Sequence, residues 1–545
     1  FGSSSISAQA KHCGTLLMPC LTECSAEEWE ALLPGFSRPS GCKRGSRSAG
    51  IDVTPLRVYE RAMRRNVDHG FIPGYCSIAI WRNQVLHVDS YGYADLERRR
   101  PMRTDTLVRL YCMGKSVTAV ALMVLVERGK CSLEDEVANF IPAFGSARVV
   151  ARSENEGPSC ADPPVRAGLT LRRLLTHCSG LGYGKEFGLE PEGPAERSYR
   201  ALVQDVERGH TKDIEAFCGR LAALPLRRVP GEAFEYSYGL DVIGRVIEVV
   251  SGQPLDRFLS DALFTPLGML DTGFSVPRSK LPRLAGLYAA AGTARSLGEP
   301  LRGPPPQHEW SLVRIDGGTP EESAWAEGRQ CRVLSGGGLM GNNRGGLVST
   351  LNDQARFCLM LAAGGRLPVK DSPRILKEAT VRDMVGSDWL ALPECLGQQQ
   401  SNVGLAGVTA AGHFGWNAVG ELGVEEDPSK LGAEAFEFGE YGYGGVAETF
   451  WSINPRRDLT LLWFTQQVDN HSWTTQQANL WIAARRAVSR SRVCDQSIPV
   501  SLPALDGQAP SAQTQCRARS RSAVRRRVTG KRRLHSGASA AAASG

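Results

Sequence analysis

The spacing of apolar residues predicts a helix near each end of the central part of the chain. In residues 55–68 and 474–488, apolar side chains recur three and four positions apart, which is typical of an amphipathic helix. After the first of these segments, the β-rich runs 75–81 and 84–91 are separated only by Arg82 and Asn83. Two short β-rich runs separated by two residues predict a β-hairpin.

A second pair of β-rich runs, residues 447–453 and 459–465, precedes the later helix and is joined by residues 454–458. We expect the early and late hairpins to share one antiparallel sheet, with the flanking helices packed over it. The long middle of the chain then forms a separate helical region. This arrangement is an α+β fold, and it predicts a functional site between the sheet and the helical region, where pockets commonly form.

Three stretches rich in Gly and Pro interrupt the middle of the chain: residues 153–168, 292–306 and 392–439. Loops of this length are usually functional or disordered, and we expect surface insertions there. Residues 1–50 have no sustained periodicity and predict a poorly ordered lead-in, whereas residues 491–545 become Arg-rich and predict a disordered tail. The folded domain is therefore expected over residues 51–490.

The formal net charge of +7 raises the question of a nucleic-acid or membrane-surface partner. Residues 511–545 contain eight Arg, one Lys and no acidic residue, so this tail carries the whole net positive charge. The rest of the chain is near neutral and lacks the electrostatic footprint of a nucleic-acid-binding domain. Basic tails are usually only solvated, although the runs 525–527 and 531–533 would suit contact with a polyanion or nuclear targeting.

The chain has fifteen cysteines, an odd number, without the spacing of a disulfide scaffold or of paired zinc ligands. This cysteine usage favours a reducing, cytoplasmic setting. No run of 18 apolar residues is present, so a membrane-spanning helix is not expected. The chain begins with Phe1 rather than Met, and a targeting segment could therefore precede it.

The segment R-L-Y-C-M-G-K-S-V at 109–117 places Cys112 three residues before Lys115, at the start of a long apolar helical pattern. Residues three apart share a helix face. A nucleophile at a helix N-terminus feels the positive end of the helix dipole, and a desolvated lysine beside it can act as its base. The alternative is a buried cysteine beside an ordinary helix-surface lysine, so this motif alone carries little weight. Ser116 is no substitute, because no lysine follows it at the same spacing.

Five further segments follow in a fixed order along the chain. They are L-T-L-R-R-L-L-T-H-C-S-G-L at 169–181, P-G-E-A-F-E-Y-S-Y at 230–238, V-S-G at 250–252, P-L-G-M-L-D-T at 266–272 and G-G-L-V-S-T at 345–350. Together with the C-x-x-K segment they resemble the serine β-lactamase and penicillin-binding-protein superfamily, on its esterase-like branch. The resemblance covers residues 55–488 and implies a β-lactamase/transpeptidase-like fold, with Cys112 in the place of the nucleophilic serine.

The family's second catalytic motif is Y-x-N. This chain matches its tyrosine with Tyr236 and has Tyr238 in the place of the asparagine. The resemblance implies that the Tyr236 phenol, beside Lys115, passes a proton between nucleophile and leaving group, and that Tyr238 faces the substrate. The alternative for Tyr236 is a core tyrosine with a satisfied hydroxyl.

The family's third motif, K-T-G or H-x-G in β-lactamases and peptidases, corresponds to Tyr443, Gly444 and Gly445, close to the W-G-G of the esterase-like branch. No Lys or His stands there to recognise the carboxylate of a β-lactam or a D-Ala-D-Ala peptide, so the resemblance favours small neutral acyl esters. It also implies an oxyanion hole made by the backbone N–H groups of Cys112 and Val446. The two glycines allow an acyl group to approach the strand closely.

Cysteine in place of serine keeps the shape of the side chain and changes its chemistry. A Cys112 thiolate beside the Lys115 ammonium could form a thioester acyl-enzyme, whereas a sulfur misplaced by about an ångström can cost ~100-fold in rate. Three interpretations therefore stay open: an acyl hydrolase or acyltransferase that uses Cys112, a catalytically inactive binding protein with the same fold, and an error in the sequence at this position.

No cofactor and no metal site is predicted, because no cluster of His, Asp or Glu has the spacing of metal ligands. His177 is the most tempting histidine, since it lies within one of the family segments. It follows a helix, and we expect it to stabilise a turn rather than to take part in catalysis.

Overall fold

A computed structural model of the chain describes residues 51–149, 168–183, 194–232, 234–296, 306–329, 331, 333–338, 346–386, 414–423, 436–468 and 473–489. Within these residues, an antiparallel sheet of eight strands separates two hydrophobic cores. The predicted lead-in at 1–50 and the predicted basic tail at 491–545 lie outside the described residues.

The strands are numbered in chain order. They are β1 (Gly74–Trp81), β2 (Gln84–Asp95), β3 (Arg100–Pro101), β4 (Val108–Arg109), β5 (Tyr288–Ala290), β6 (Leu312–Arg314), β7 (Val348–Ser349), β8 (Phe414–Trp416), β9 (Glu421–Gly423), β10 (Tyr441–Gly445), β11 (Thr449–Asn454), β12 (Leu459–Phe464) and β13 (Gln467–Val468). The main sheet has the order β3-β2-β1-β12-β11-β10-β9-β8, β13-β5-β6 form a second sheet, and β4 pairs with β7.

The α-helices are α1 (Thr54–Asp68), α2 (Gly114–Glu127), α3 (Leu171–Leu175), α4 (Pro194–Glu207), α5 (Ile214–Ala222), α6 (Gly239–Ser251), α7 (Leu255–Leu259), α8 (Thr265–Leu267), α9 (Ala291–Ser296), α10 (Leu351–Ala362), α11 (Glu378–Val385) and α12 (Trp473–Ser489). A π-helical turn, Ser260–Phe264, connects α7 to α8. In the helical region, α2, α3, α5 and α7 all pack against α6. No helix among the described residues is long and apolar enough to span a membrane.

Both predicted hairpins are present, and they share one sheet. β1 and β2 pair antiparallel, and the φ angles of Arg82 and Asn83 are +50° and +59°, as the type I′ hairpin turn requires. β11 and β12 form the later hairpin, and β12 also pairs with β1. The helices predicted at 55–68 and 474–488 are confirmed as α1 and α12.

Alternating side chains of β1 enter different cores, as the pleat of a strand requires. Tyr75 and Ala79 pack with Leu56 of α1 and Trp481 of α12. Ile78 and Ile80 belong to the larger core, which continues into the helical region. The sheet therefore has α1 and α12 on one face, and the functional site lies on the side of the larger core.

The prediction that residues 392–439 form a surface insertion is wrong for part of this stretch. Residues 414–416 and 421–423 form β8 and β9 at the edge of the main sheet, and the side chains of Trp416, at the end of β8, and of Asn417, which follows it, are buried. Strands of three residues flanked by glycines are too short to show an alternating pattern. Most of the other predicted insertions, together with 392–413 and 424–435, lie outside the described residues.

Candidate active site

Cys112 lies in a 3-10 turn, Tyr111–Met113, that leads directly into α2. Tyr111 has a φ angle of +49°, a left-handed conformation that residues other than glycine adopt rarely and that clusters at functional sites. The side chain of Cys112 is 9% exposed. Cys112 is therefore largely buried, with a small part of its surface still exposed to solvent. It lies at the amino end of a helix, as the sequence predicts.

Two glycines let neighbouring segments contact the backbone of this turn. Gly338 has a φ angle of +79°, and a Cβ atom there would lie 1.9 Å from the carbonyl oxygen of Tyr111. A Cβ atom on Gly445 would lie 2.1 Å from the carbonyl oxygen of Leu110, which also accepts a hydrogen bond of 3.3 Å from Thr449 Oγ1. The loop at Gly338 and the end of β10 therefore hold the Cys112 turn from two sides.

Lys115 is buried one residue into α2, and its surroundings stabilise a cation. Its Nζ atom donates a hydrogen bond of 2.5 Å to the carbonyl oxygen of Gly337. The same atom lies 4.7 Å from the ring centroid of Tyr236 and 5.8 Å from that of Tyr183. Carbonyl oxygens and the faces of aromatic rings both attract an ammonium group.

The hydroxyl of Tyr236 connects the nucleophile candidate to the third-motif strand. Tyr236 lies close enough to Cys112 to interact with it electrostatically, and Tyr443 Oη donates a hydrogen bond of 2.7 Å to the Tyr236 hydroxyl oxygen. Burial, followed by the negative charge that Cys112 can carry, raises the pKa of Tyr236 well above its ordinary value. Tyr236 is therefore a neutral phenol at physiological pH and can donate a proton.

The predicted third-motif residues Tyr443, Gly444 and Gly445 end β10, and Val446 follows them. Because Gly445 contacts the turn that carries Cys112, the backbone after β10 lies next to the backbone of the nucleophile candidate. An oxyanion hole made by the N–H groups of Cys112 and Val446 requires this proximity. That role for the two N–H groups stays a prediction.

Tyr238 precedes α6 and is fully buried. Its ring stacks on Tyr183, with centroids 4.4 Å apart, and lies edge-on to Phe217 at 5.6 Å. These contacts make Tyr238 part of the packing between the helices and the site. The expected contact between Tyr238 and substrate stays a prediction.

His177 stabilises a turn after α3, as expected from the sequence. Its φ angle is +55°, and its Nδ1 atom accepts a hydrogen bond of 3.2 Å from the backbone N–H of Ser237. Burial, with a smaller effect of Lys115, lowers the pKa of His177 well below its ordinary value. The centroid of the neutral His177 ring lies 4.5 Å from that of Tyr236, so the two rings pack against each other.

Three further residues of the site were not predicted from the sequence. Tyr183 faces Lys115, Asp241 of α6 is fully buried and interacts electrostatically with Lys115, and Glu421 of β9 interacts with Tyr443. Burial raises the pKa of Glu421 to about 7. The only signal for any of them was an acid at position 241 within an apolar helical pattern, since buried acids usually have a partner or a role.

Ser116 is not part of this group, because its Oγ atom donates a hydrogen bond of 2.6 Å to the carbonyl oxygen of Val419. In the part of the chain that the structure describes, no group of three or more His, Cys, Asp or Glu side chains could hold a metal ion.

Comparison with known proteins identifies the family to which the chain belongs. A sequence model of the Beta-lactamase family matches residues 60–485. The chain belongs to this family. Protein Rv1367c of Mycobacterium tuberculosis is 30% identical over 411 residues, which are 75% of this chain and 89% of that protein.

Esterase EstB of Burkholderia gladioli is 35% identical over 217 residues, 40% of this chain and 50% of EstB. Among solved structures, unliganded simvastatin synthase (LovD) from Aspergillus terreus matches with a TM-score of 0.61 and 23% identity, covering 79% of this chain and 98% of LovD. This similarity shows the fold, and the β-lactamase/transpeptidase-like architecture predicted from the sequence is confirmed. Esterases and acyl-transfer enzymes are therefore among the proteins that the chain resembles.

Proposed function

We propose that the chain is an acyl hydrolase that acts on small neutral esters through a thioester on Cys112. The observation that carries the proposal is that Cys112 at the start of α2 is joined at one site by Tyr236 and by Lys115, whose Nζ atom lies 4.7 Å from the Tyr236 ring centroid and donates to the carbonyl oxygen of Gly337. A thiolate is the nucleophilic form of cysteine, and a neighbouring ammonium favours it. The same site thus supplies a nucleophile, its counter-charge and a proton donor.

In the acylation step, the Sγ atom of Cys112 attacks the carbonyl carbon of the ester, and an S–C bond forms. The tetrahedral oxyanion accepts hydrogen bonds from the N–H groups of Cys112 and Val446. As the C–O bond to the alcohol breaks, the leaving oxygen takes the hydroxyl proton of Tyr236. Lys115 replaces that proton and becomes a neutral amine, so the products are an alcohol and an acyl thioester.

In the second step, water attacks the carbonyl carbon of the thioester. The proton of the attacking water passes through Tyr236 to the amine of Lys115, the S–C bond breaks, and the thiolate leaves. The ammonium and thiolate are then restored, and the product is a carboxylic acid. An alcohol or amine in place of water would give acyl transfer, since both acceptors compete for one intermediate.

Two observations support neutral esters as the substrate class. The third-motif strand offers Tyr443 and two glycines where a cation would recognise a carboxylate. The relative EstB is an esterase by name, and the resemblance to simvastatin synthase favours acyl transfer as a second candidate activity.

Intact-mass measurement after brief mixing with p-nitrophenyl butyrate tests the proposal directly. The expected result is the addition of one butyryl group, located at Cys112 by peptide mapping, together with release of p-nitrophenol. Cys112→Ala is expected to lose both. Cys358→Ala, which alters another buried thiol, serves as the matched control and is expected to keep both.

Equal rates of ester hydrolysis in the natural protein, Cys112→Ala and Cys358→Ala would exclude Cys112 as the nucleophile. Cys112→Ser adds a second test, because a serine enzyme would resist iodoacetamide whereas the natural protein is expected to lose activity to it. Product analysis with added alcohols separates hydrolysis from acyl transfer.

A further inference from the structure

A glycine loop at Ser335–Gly338 lies between α6 and the Cys112 turn, and each glycine in it is required by a different close contact. A Cβ atom on Gly336 would lie 2.6 Å from the carbonyl oxygen of Leu240, and one on Gly337 would lie 2.2 Å from Asp241 Oδ2. Gly338 contacts the backbone of Tyr111, as described above. The loop therefore touches the acidic residue of α6 and the nucleophile turn at once.

The carboxylate of Asp241 anchors this loop. Its Oδ1 atom accepts hydrogen bonds of 2.5 Å from Ser335 Oγ and 3.0 Å from the backbone N–H of Gly337. Its Oδ2 atom is buried without a hydrogen-bond partner. A fully buried carboxylate with an unpartnered oxygen is costly unless a charge nearby compensates it.

Lys115 is the compensating charge. Its Nζ atom donates to the carbonyl oxygen of Gly337, the residue whose N–H donates to Asp241. Burial raises the pKa of Asp241, and the positive charge of Lys115 is the largest of the effects that oppose this rise. Gly337 thus stands between the two charges and contacts both.

The other titratable groups around this pair are neutral. Burial raises the pKa of Cys218, which faces Asp241, and that of Tyr236, which faces Lys115. Burial lowers the pKa of His177, which also interacts with Lys115. Among the described residues named around Lys115, Asp241 is therefore the remaining candidate for a negative charge other than Cys112 itself.

We infer that Asp241 is a positioning residue that keeps Lys115 charged and in place beside Cys112, through the Ser335–Gly338 loop. This role rests on the proposed function of Cys112 as the nucleophile. Asp241 does not contact substrate or the reacting atoms. It acts through the charge of Lys115 and through the loop that holds both Lys115 and the Cys112 turn.

Asp241→Asn tests the inference, because asparagine keeps the shape and one acceptor oxygen, removes the charge and replaces the other oxygen by an NH2 group. Removing a negative charge makes neighbouring groups lose their protons at lower pH. If Lys115 gives up its proton at lower pH, the Cys112 thiolate loses its counter-charge, so we expect the pH at which Cys112 alkylation by iodoacetamide is half-maximal, measured by peptide mapping, to rise by about one unit. The profile of acylation by p-nitrophenyl butyrate is expected to move in the same direction, with a fall of about 10-fold or more in its maximum and little change in KM.

If Asp241 had a purely structural role, Asp241→Asn would lower the acylation rate but would leave the pH profile of Cys112 alkylation unchanged. An unchanged profile would therefore overturn the inference. Asp353→Asn is the matched control, since Asp353 is also buried and accepts hydrogen bonds of 2.8 Å from Asp271 and Thr272. Its alkylation profile should equal that of the natural protein. Alkylation does not require turnover, so an absence of butyryl transfer in the natural protein would count against the proposed function and leave this test intact.

Lys115→Met gives an independent measurement if Asp241→Asn does not fold. Without the ammonium, the Asp241 carboxylate is buried and uncompensated at high pH and must take up a proton to be tolerated. We expect Lys115→Met to lose more thermal stability relative to the natural protein at pH 8 than at pH 5. An equal loss at both pH values contradicts the inference.

Discussion

The hydroxyl of Tyr443 donates a hydrogen bond of 2.7 Å to the hydroxyl oxygen of Tyr236. Because Tyr236 also interacts electrostatically with Cys112, two phenols extend from β10 towards the thiol. A phenol that accepts a hydrogen bond becomes a better donor, since hydrogen bonds in a chain polarise one another. We therefore expect the Tyr443 hydroxyl to assist proton donation by Tyr236.

Replacing Tyr443 by Phe removes this donor and keeps the ring. We expect acylation of Cys112 by p-nitrophenyl butyrate to slow by about 5- to 10-fold, the value of one buried hydrogen bond, with the fold unchanged by circular dichroism. Tyr441→Phe on the same strand is the control and should acylate at the natural rate. Equal rates for both variants would show that the Tyr443 hydroxyl has no part in the reaction.

Tyr236→Phe removes the group that protonates the leaving alcohol. General-acid catalysis contributes about 100-fold or more when the leaving group is a poor one. We therefore expect hydrolysis of ethyl butyrate to fall by about 100-fold or more, and hydrolysis of p-nitrophenyl butyrate to fall much less, because p-nitrophenolate leaves without a proton. A loss of the same size for the two esters would argue that Tyr236 positions the site and does not transfer the proton.

The early and late hairpins and their flanking helices were predictable, because their patterns are local. Arg82 and Asn83 fall between two β-rich runs, and α1 shows its apolar stripe in the sequence. Cys112, Lys115 and Tyr236 were identified from short ordered segments, and the structure brings them together. These features depend on neighbours in sequence or on a family pattern.

The rest of the site depends on contacts between segments far apart in the chain. Tyr183 and Glu421 stand in glycine-containing sequence without periodicity, and each reaches the site only through tertiary packing. The strands β8 and β9 are three residues long, below the length at which alternation can be recognised. Asp241 shows as an acid in an apolar helix, but its partner loop at 335–338 is about a hundred residues away, and no local pattern connects the two.

Gly338 makes a sharp test of how the Cys112 turn is held. In Gly338→Ala the new Cβ would lie 1.9 Å from the carbonyl oxygen of Tyr111, and the φ angle of +79° adds the usual strain of a left-handed alanine. We expect the free energy of unfolding to fall by more than about 3 kcal/mol and Cys112 acylation to be lost. Denaturant unfolding and intact mass measure the two effects.

Gly129→Ala provides the matched control. Gly129 also has a positive φ angle, +65°, but a Cβ atom there meets nothing within 4 Å. The Gly129→Ala substitution should lower the free energy of unfolding by only about 1 kcal/mol and leave Cys112 acylation unchanged. Equal destabilisation of Gly338→Ala and Gly129→Ala would contradict the close contact between the Gly338 loop and the Cys112 turn.

The carboxyl of Glu421 leads us to expect that the free energy of unfolding depends on pH. Burial raises the pKa of its carboxyl to about 7, from 4.5 for the free group, so the folded state favours the protonated form. Its contribution to stability is therefore fully present below about pH 4.5 and is lost as the pH rises through 7. A shift of this size corresponds to about 3 kcal/mol for an enclosed group, and we expect about 1–2 kcal/mol because the side chain is partly exposed.

Glu421→Gln cannot ionise, so its free energy of unfolding relative to the natural protein should rise between pH 5 and pH 8 by that amount. Glu321→Gln, at an exposed position, should show no such change, and a flat difference for Glu421→Gln as well would mean that this carboxyl ionises in the folded protein as it does in water.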